Sequence, residues 1–326
     1  MRLEGRFCIV GGAGFIGSHF VDRLLSADAI ELVRVFDNFS SGREWHLAHH
    51  QRDARLEVRR GEVSDAAELT EALEGCDTVI HLASNPDIAR AVTDPAIDFH
   101  EGTALTHAVL EASRQAGVRT VLYASGSGVY GDLGEMEMHE DHGPMEPIST
   151  YGASKLAGEA LLCAYSHMFD IRGRAFRFGN VVGPRQTHGV GFDFIRRLLE
   201  NPDELRILGD GSQSKSYVHV TDIVEAVLTA AAREPLPYRV FNVATTDYPT
   251  VLEIAEMAVE VLGRDRATVK FVFTGGDRGW RGDVPVMRLD TQRIRHLGWQ
   301  NEMSSRDALR ASMVSLLEDA RAGRFG

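Results

Sequence analysis

The chain has 326 residues, about twice the ~150-residue unit of one compact domain, and 44% of its side chains are hydrophobic and 25% charged. That size and balance exclude fibres, small disulfide scaffolds and wholesale disorder. Asp and Glu number 47 against 35 Lys and Arg, and the net charge of −12 repels nucleic acid and anionic membrane surfaces.

In chain order, an apolar run at 7–10 predicts a strand, and a helical-period segment at 16–25 follows it across a glycine-rich turn. Further strands are expected at 32–36, 56–59, 78–82 and 120–124, with helices at 68–73 and 103–116 between them. This alternation predicts repeated βαβ units with right-handed crossovers, hence an α/β fold built on a doubly wound parallel sheet of the Rossmann type. A helix at 151–168 follows, with Ser149 placed to cap it. Beyond 183 the rhythm loosens into loops containing Pro184, Pro202, Pro235, Pro237 and Pro249, with isolated helices at 223–232 and 251–261. The expected division is a dinucleotide-binding domain over 1–180 and a smaller α/β domain over 181–326, with some of the later chain returning to the first. The arginines at 55–60 are interrupted by Leu56 and Val58 and read as the solvated edge of a strand.

Cys8, Cys76 and Cys163 lie far apart and form no C-x-x-C pair, so neither a disulfide framework nor a zinc knuckle is implied. The start Met1-Arg-Leu-Glu-Gly-Arg6 lacks the pattern of a secretory leader, and no run approaches ~18 apolar residues. A cytoplasmic protein without a membrane span is expected. His46, His49 and His50 cluster in sequence, but no carboxylate or cysteine stands beside them at ligand spacing, so no metal is expected.

Between the first strand and helix stands Gly11-Gly-Ala-Gly14-Phe15-Ile16-Gly17. Gly11 permits a tight turn, Gly14 lets backbone approach a pyrophosphate, and Gly17 allows close packing of a helix whose N-terminal N–H groups face the anion. The spacing is G-x-x-G-x-x-G. Twenty residues after Gly17 the second strand ends in Asp37, an acid placed to bind ribose hydroxyls and to repel a 2′-phosphate, which favours NAD over NADP.

Several segments carry a resemblance. The glycine fingerprint, Asp37-Asn-Phe-Ser-Ser-Gly42, His81-Leu-Ala-Ser84, Val129-Tyr-Gly131, Tyr151-Gly-Ala-Ser-Lys155, Asn180-Val-Val-Gly-Pro-Arg185 and Tyr217-Val-His-Val220 together resemble the extended short-chain dehydrogenase/reductase family. Within it the nearest likeness is to nucleotide-sugar epimerases of the UDP-glucose 4-epimerase type. The resemblance implies that Asp37, Asn38, Ser40 and Gly42 surround the adenosine ribose and its phosphate. It places Glu62 and Val63 against the adenine, and Leu82, Ala83 and Ser84 further along the cofactor. A homodimer is implied as well, through helices at 103–116 and 151–168.

Tyr151 and Lys155 are four apart in a helical segment and share one face. A lysine ammonium and a cationic nicotinamide nearby would lower the phenol pKa, so Tyr151 is expected to take the proton of a sugar hydroxyl, and the resemblance implies that Lys155 holds the nicotinamide ribose. Relatives place a Ser or Thr four residues before the tyrosine of the Val-Tyr-Gly motif. Here that position is Gly126, flanked by Ser125 and Ser127 as substitute hydroxyls. Phe99 stands where relatives often have asparagine, with His100 beside it as partial compensation. The carboxylates that family dehydratases and decarboxylases carry at this strand end are replaced by Ser127 and Gly128, and Asp132, Glu135, Glu137 and Glu140 read as a solvated acidic loop.

For the nucleotide sugar, the resemblance implies Asn180, Lys215, and Arg278 or Arg281 as diphosphate contacts, with Gly191 and Phe192 in a segment covering a uracil. The expected activity is NAD-dependent epimerisation at C4 of a UDP-hexose or derivative. The alternatives are another NAD-dependent conversion of a nucleotide sugar and a non-catalytic NAD-binding regulator.

Overall fold

The computed structural model describes residues 4–85 and 87–325. It opens with strand β1 (Gly5–Val10), helix α1 (Phe15–Leu25), β2 (Ile30–Asp37), β3 (Leu56–Arg60), α2 (Ala66–Leu73) and β4 (Thr78–His81). After a turn of π-helix at Phe99–Ala104 come α3 (Leu105–Gln115), β5 (Thr120–Gly126), the short β6 (Glu137–Met138), α4 (Thr150–Met168) and β7 (Arg172–Phe178). The second half holds β8 (Asn180–Val182), α5 (Val190–Glu200), β9 (Glu204–Ile207), β10 (Tyr217–His219), α6 (Val220–Arg233) and β11 (Tyr238–Val243). It closes with α7 (Val251–Val261), β12 (Lys270–Phe273), β13 (Arg288–Leu289), α8 (Gln292–His296) and α9 (Ser305–Arg321).

Seven strands form one parallel sheet in the order β11-β7-β5-β4-β1-β2-β3. The chain winds outward from β1 to β3, then restarts on the other side of β1 with β4. Between the carboxyl ends of β1 and β4 the order reverses, and such a switch point leaves a crevice for a ligand. Every strand of a doubly covered sheet must be apolar on both faces, and β1 shows how. Phe7 and Ile9 enter one core with α1 and α6, whereas Cys8 and Val10 enter the other with α2, α3 and α4. The expected strands and helices of the first half all form, within a few residues at their ends.

Local signals set the helix starts. Asp65 accepts from the N–H groups of Ala67 and Glu68 to begin α2, and Ser149 accepts from Gly152 N at 3.1 Å to begin α4 as the sequence predicts. Strand β11 lies far beyond residue 180, yet pairs with β7 over six residues as an outer strand of the main sheet. A third core gathers Phe194, Ile195 and Leu198 of α5 with Leu205 and Ile207 of β9, Ile254 and Ala258 of α7 and Leu309 and Met313 of α9. This second lobe closes over the crevice. No helix among the described residues is long and apolar enough to cross a membrane.

Candidate active site

A cavity of about 1040 Å³ runs along the carboxyl ends of the sheet and under the second lobe. Gly11, Gly14, Phe15, Ile16, Gly17, Asp37, Asn38, Ser40, Glu62, Val63, Leu82, Ala83 and Ser84 all line it. The glycines are there for space. Gly11 has φ +86°, and a Cβ on it would lie 2.8 Å from Ala83 N; one on Gly17 would lie 2.3 Å from Gly11 O. Backbone thus folds into a shallow cradle at the start of α1, where unpaired N–H groups favour an anion. Asp37 is buried, and its two oxygens accept from Ala13 N and Phe39 N, each at 2.8 Å. Burial pushes its carboxyl up while those N–H groups pull it down. Gly42 departs from expectation: it packs on Asp37 and Ala13 and lies outside the lining.

At the centre, α4 presents Tyr151 and Lys155 to the cavity, and Lys155 Nζ donates to Ala124 O at 2.8 Å at the end of β5. The ammonium sits 5.4 Å from the Tyr151 ring centroid. The expected fall in the phenol pKa is reversed in the protein alone. Burial pushes Tyr151 up to about 12, the Asp98 carboxylate adds to the rise, and Ser84 partly offsets it. Burial also brings Lys155 down to about 8, and here Asp98 opposes it. Desolvation outweighs the attraction because Lys155 is buried and Tyr151 is half-buried at the wall of the cavity.

Gly126 has extended backbone, φ −159° and ψ 160°, which any residue adopts. A Cβ there would have only Tyr151 Cε1 within 4 Å, at 3.9 Å, so the missing side chain leaves open space beside the tyrosine ring. Both neighbouring serines line the cavity, but the Ser125 hydroxyl donates to Glu159 Oε1 at 2.5 Å and is thereby engaged with the floor of the site.

That floor is a buried polar network the sequence reading missed. Arg177 donates from Nε and Nη2 to the two oxygens of Glu159, at 2.9 and 2.6 Å, with both side chains almost fully buried. Its Nη1 reaches Tyr130 Oη at 2.8 Å, and Tyr130 donates to Asn242 Oδ1 at 2.8 Å. The solvated-loop reading of Glu140 is wrong: it is buried and accepts from Asn242 N at 2.9 Å. Asp132 and Glu135 are not free acids either, since they pair with Arg278 and Arg288. One Arg-carboxylate fork therefore ties α4 to β7, while β11 joins through Asn242.

On the far side, Asn180 and Lys215 line the cavity, and Lys215 Nζ is bonded to Asp283 Oδ1 at 2.6 Å. Arg278 instead donates to Asp132 Oδ2 at 2.6 Å and to Asp283 O at 2.7 Å, outside the lining. Arg281 is exposed and also outside, whereas Gly279, Trp280 and Gly282 of the same loop face the cavity. Gly191 packs against Met313, and Phe192 stacks on Phe325 with centroids 4.7 Å apart. The cavity face of α5 is Val190, Asp193, Phe194 and Arg197, at the i, i+3, i+4, i+7 spacing of one helix face, a signal that could have found them. Phe99 is exposed and His100 lines the cavity. The histidine cluster also needs correction, because folding brings Asp22 Oδ1 to 2.7 Å from His49 Nε2 and 2.9 Å from His50 Nε2. Arg185 holds the other Asp22 oxygen.

The NAD dependent epimerase/dehydratase family model matches residues 7–244. The chain belongs to this family. NAD is its cofactor, and the glycine cradle that added Cβ atoms would fill, together with Asp37, suits that dinucleotide. A UDP-glucose 4-epimerase of Mycolicibacterium smegmatis is 35% identical over 307 residues, covering 92% of this chain and 94% of its own. A crystal structure of a UDP-galactose 4-epimerase is 38% identical with TM-score 0.85, covering 96% of this chain and 99% of that one. DesIV, a dTDP-glucose 4,6-dehydratase from Streptomyces venezuelae solved with NAD bound, superposes at TM-score 0.89 with 27% identity, covering 97% of this chain and 98% of its own. As a member of the epimerase/dehydratase family, the chain acts on a nucleotide sugar with NAD.

Proposed function

We propose that the protein epimerises a UDP-linked hexose, or a modified one, at C4. The observation that carries this reading is the pair Tyr151 and Lys155 at the meeting point of the cofactor crevice and the second lobe, on a strand end that bears no carboxylate from Ser125 to Gly128. Tyr151 accepts the proton of the reacting hydroxyl. Lys155, anchored on Ala124 O, holds positive charge near the Tyr151 ring and would bind the ribose of a bound dinucleotide. Of the two lining serines, Ser127 is the one left to orient the sugar, since the Ser125 hydroxyl is committed to Glu159. Asn180 and Lys215 supply donors for the diphosphate, with Asp283 releasing the lysine charge toward the incoming anion. Bound NAD would take a hydride from the sugar carbon and return it to the opposite face. With no acid at the strand end, elimination lacks its proton donor there.

The test is a panel of UDP-hexoses, hexosamines and uronic acids assayed with NAD in deuterated solvent. Turnover without deuterium at carbon is the expected result. Deuterium at carbon would shift the reading to a dehydratase or to an epimerase acting through enolisation, and no turnover of any member would sink it. We further propose that two copies associate through α3 and α4 and that the protein works in the cytoplasm. Light scattering and fractionation check these two points.

A further inference from the structure

We propose that Asp98 is a positioning residue for Tyr151 and Lys155: it ties the first turn of α4 to the loop after β4 and sets a fixed negative charge beside both side chains. It touches no reacting atom, and it acts through the pair. The proposal deepens the functional reading above, since it rests on Tyr151 as the proton acceptor.

Asp98 is 1% exposed, at the start of the π-helical turn that precedes α3. Both its oxygens are occupied. Asn85 Nδ2 donates to Oδ1 at 2.9 Å, and Thr150 Oγ1 donates to Oδ2 at 2.6 Å, a length typical of a charge-assisted bond. Thr150 is the first residue of α4, immediately before Tyr151. Asn85 lines the cavity and is itself fixed, accepting from Asp87 N at 2.9 Å and donating to Asp87 O at 3.0 Å. The carboxylate therefore bridges the loop under one side of the cavity and the helix that carries the chemistry. Its segment also rides directly on α4, because a Cβ on Gly102 would come within 2.6 Å of Ser154 Oγ.

The charge matters as much as the tether. Lys155 has no carboxylate within ion-pair distance among the described residues; its ammonium is held by a carbonyl. The other titratable groups on the surrounding elements are Asp87 and Arg90 after β4 and His100 and Glu101 on the π-helical turn, all more open to solvent than Asp98, together with three buried ones: Tyr123 of β5, whose ring lies 5.3 Å from Lys155 Nζ, His81 of β4, which burial and then Lys155 bring down to about 3, and Glu159 of α4, whose charge is taken up by Arg177. Asp98 is thus the buried anion that acts on both members of the pair. It favours the ammonium of Lys155 against desolvation, and it adds to burial in favouring the protonated Tyr151 phenol.

Asp98→Asn isolates the charge, because the amide can accept from Asn85 and donate to Thr150 in the same shape. In the NAD-bound protein, ultraviolet difference absorbance referenced to Tyr151→Phe reads phenolate formation. The expected result is a Tyr151 midpoint about one pH unit lower in Asp98→Asn than in the wild type, with NAD still bound. Where a substrate turns over, both limbs of the kcat/KM profile should move to lower pH together. Thr150→Val keeps the charge and cuts the tether, and its midpoint should fall between the two, with Thr150→Ser restoring the wild-type value. An unchanged or raised midpoint in Asp98→Asn overturns the electrostatic role. A Thr150→Val midpoint equal to wild type overturns the tether, and it carries that test should the Asn variant fail to fold. The phenol titration needs no substrate, so a wrong sugar assignment would remove the rate profiles and leave this result standing.

Discussion

The two sides of the cavity are built by different means. On the cofactor side the contact surface is mostly backbone, shaped by Gly11 and Gly17 at positions where a Cβ would collide with main chain. Opposite, the candidate phosphate group that lines the cavity is a long side chain already engaged within the protein, Lys215 with Asp283. A backbone cradle has almost no freedom to change and binds one class of ligand. Paired side chains can re-pair, so that side can be retuned without disturbing the sheet. Function in this molecule is therefore conservative on one wall and adjustable on the other.

Removing chemistry while sparing both walls should have the largest effect. Tyr151→Phe is expected to lower kcat by roughly 10²- to 10⁴-fold with NAD binding retained, measured by turnover and by cofactor titration. On the adjustable wall, Lys215→Ala loses a charged donor and leaves Asp283 facing the phosphate. KM for the nucleotide sugar should rise about 10- to 100-fold while NAD affinity stays within about twofold. Equal losses for both ligands would erase the distinction between the walls.

On the rigid wall, Gly17→Ala should cost about 1–3 kcal/mol in urea unfolding and weaken NAD, because its Cβ would lie 2.3 Å from Gly11 O. Lys155→Met tests the centre through pH. Buried Lys155 has its pKa lowered from 10.5 to about 8, so between those values the folded state binds fewer protons than the unfolded one. Wild type should then gain stability relative to the methionine variant as pH rises through that window, by about 1–2 kcal/mol, and a flat difference would contradict the burial argument. Smallest of all is Gly126→Ser. Its stability should stay within about 0.5 kcal/mol, because the backbone is extended and the space is open. Its activity decides what the gap is for: a gain on ordinary hexoses marks a missing hydroxyl, and a loss marks room for a substituent.

Much of this was legible in the residues. Gly11, Gly14, Gly17 and Asp37 are read from spacing because their roles are local, a turn, a helix start and the next strand end. Tyr151 and Lys155 are legible for the same reason, one helical turn apart behind a serine cap. What escaped depends on distant chain. Tyr130 meets Asn242 across 112 positions and Asp132 meets Arg278 across 146, so neither pairing has any trace in local pattern. Glu140 looked solvated among other acids until β11 brought Asn242 N to it. Gly191 and Phe192 lie outside the cavity lining, against Met313 and Phe325 from the other end of the chain, contacts that no local motif carries.

The return of the chain as β11 has a practical consequence for dissecting the protein. A fragment ending near residue 180 would contain every motif of the cofactor side and still lack the outer neighbour of β7. It would expose an unpaired row of N–H and C=O groups along β7, an edge open to self-association. The same cut removes Asn242 and leaves the Tyr130 hydroxyl without its acceptor. The cofactor half is thus contiguous as information but not as matter, and any attempt to transplant it must carry 238–243 along.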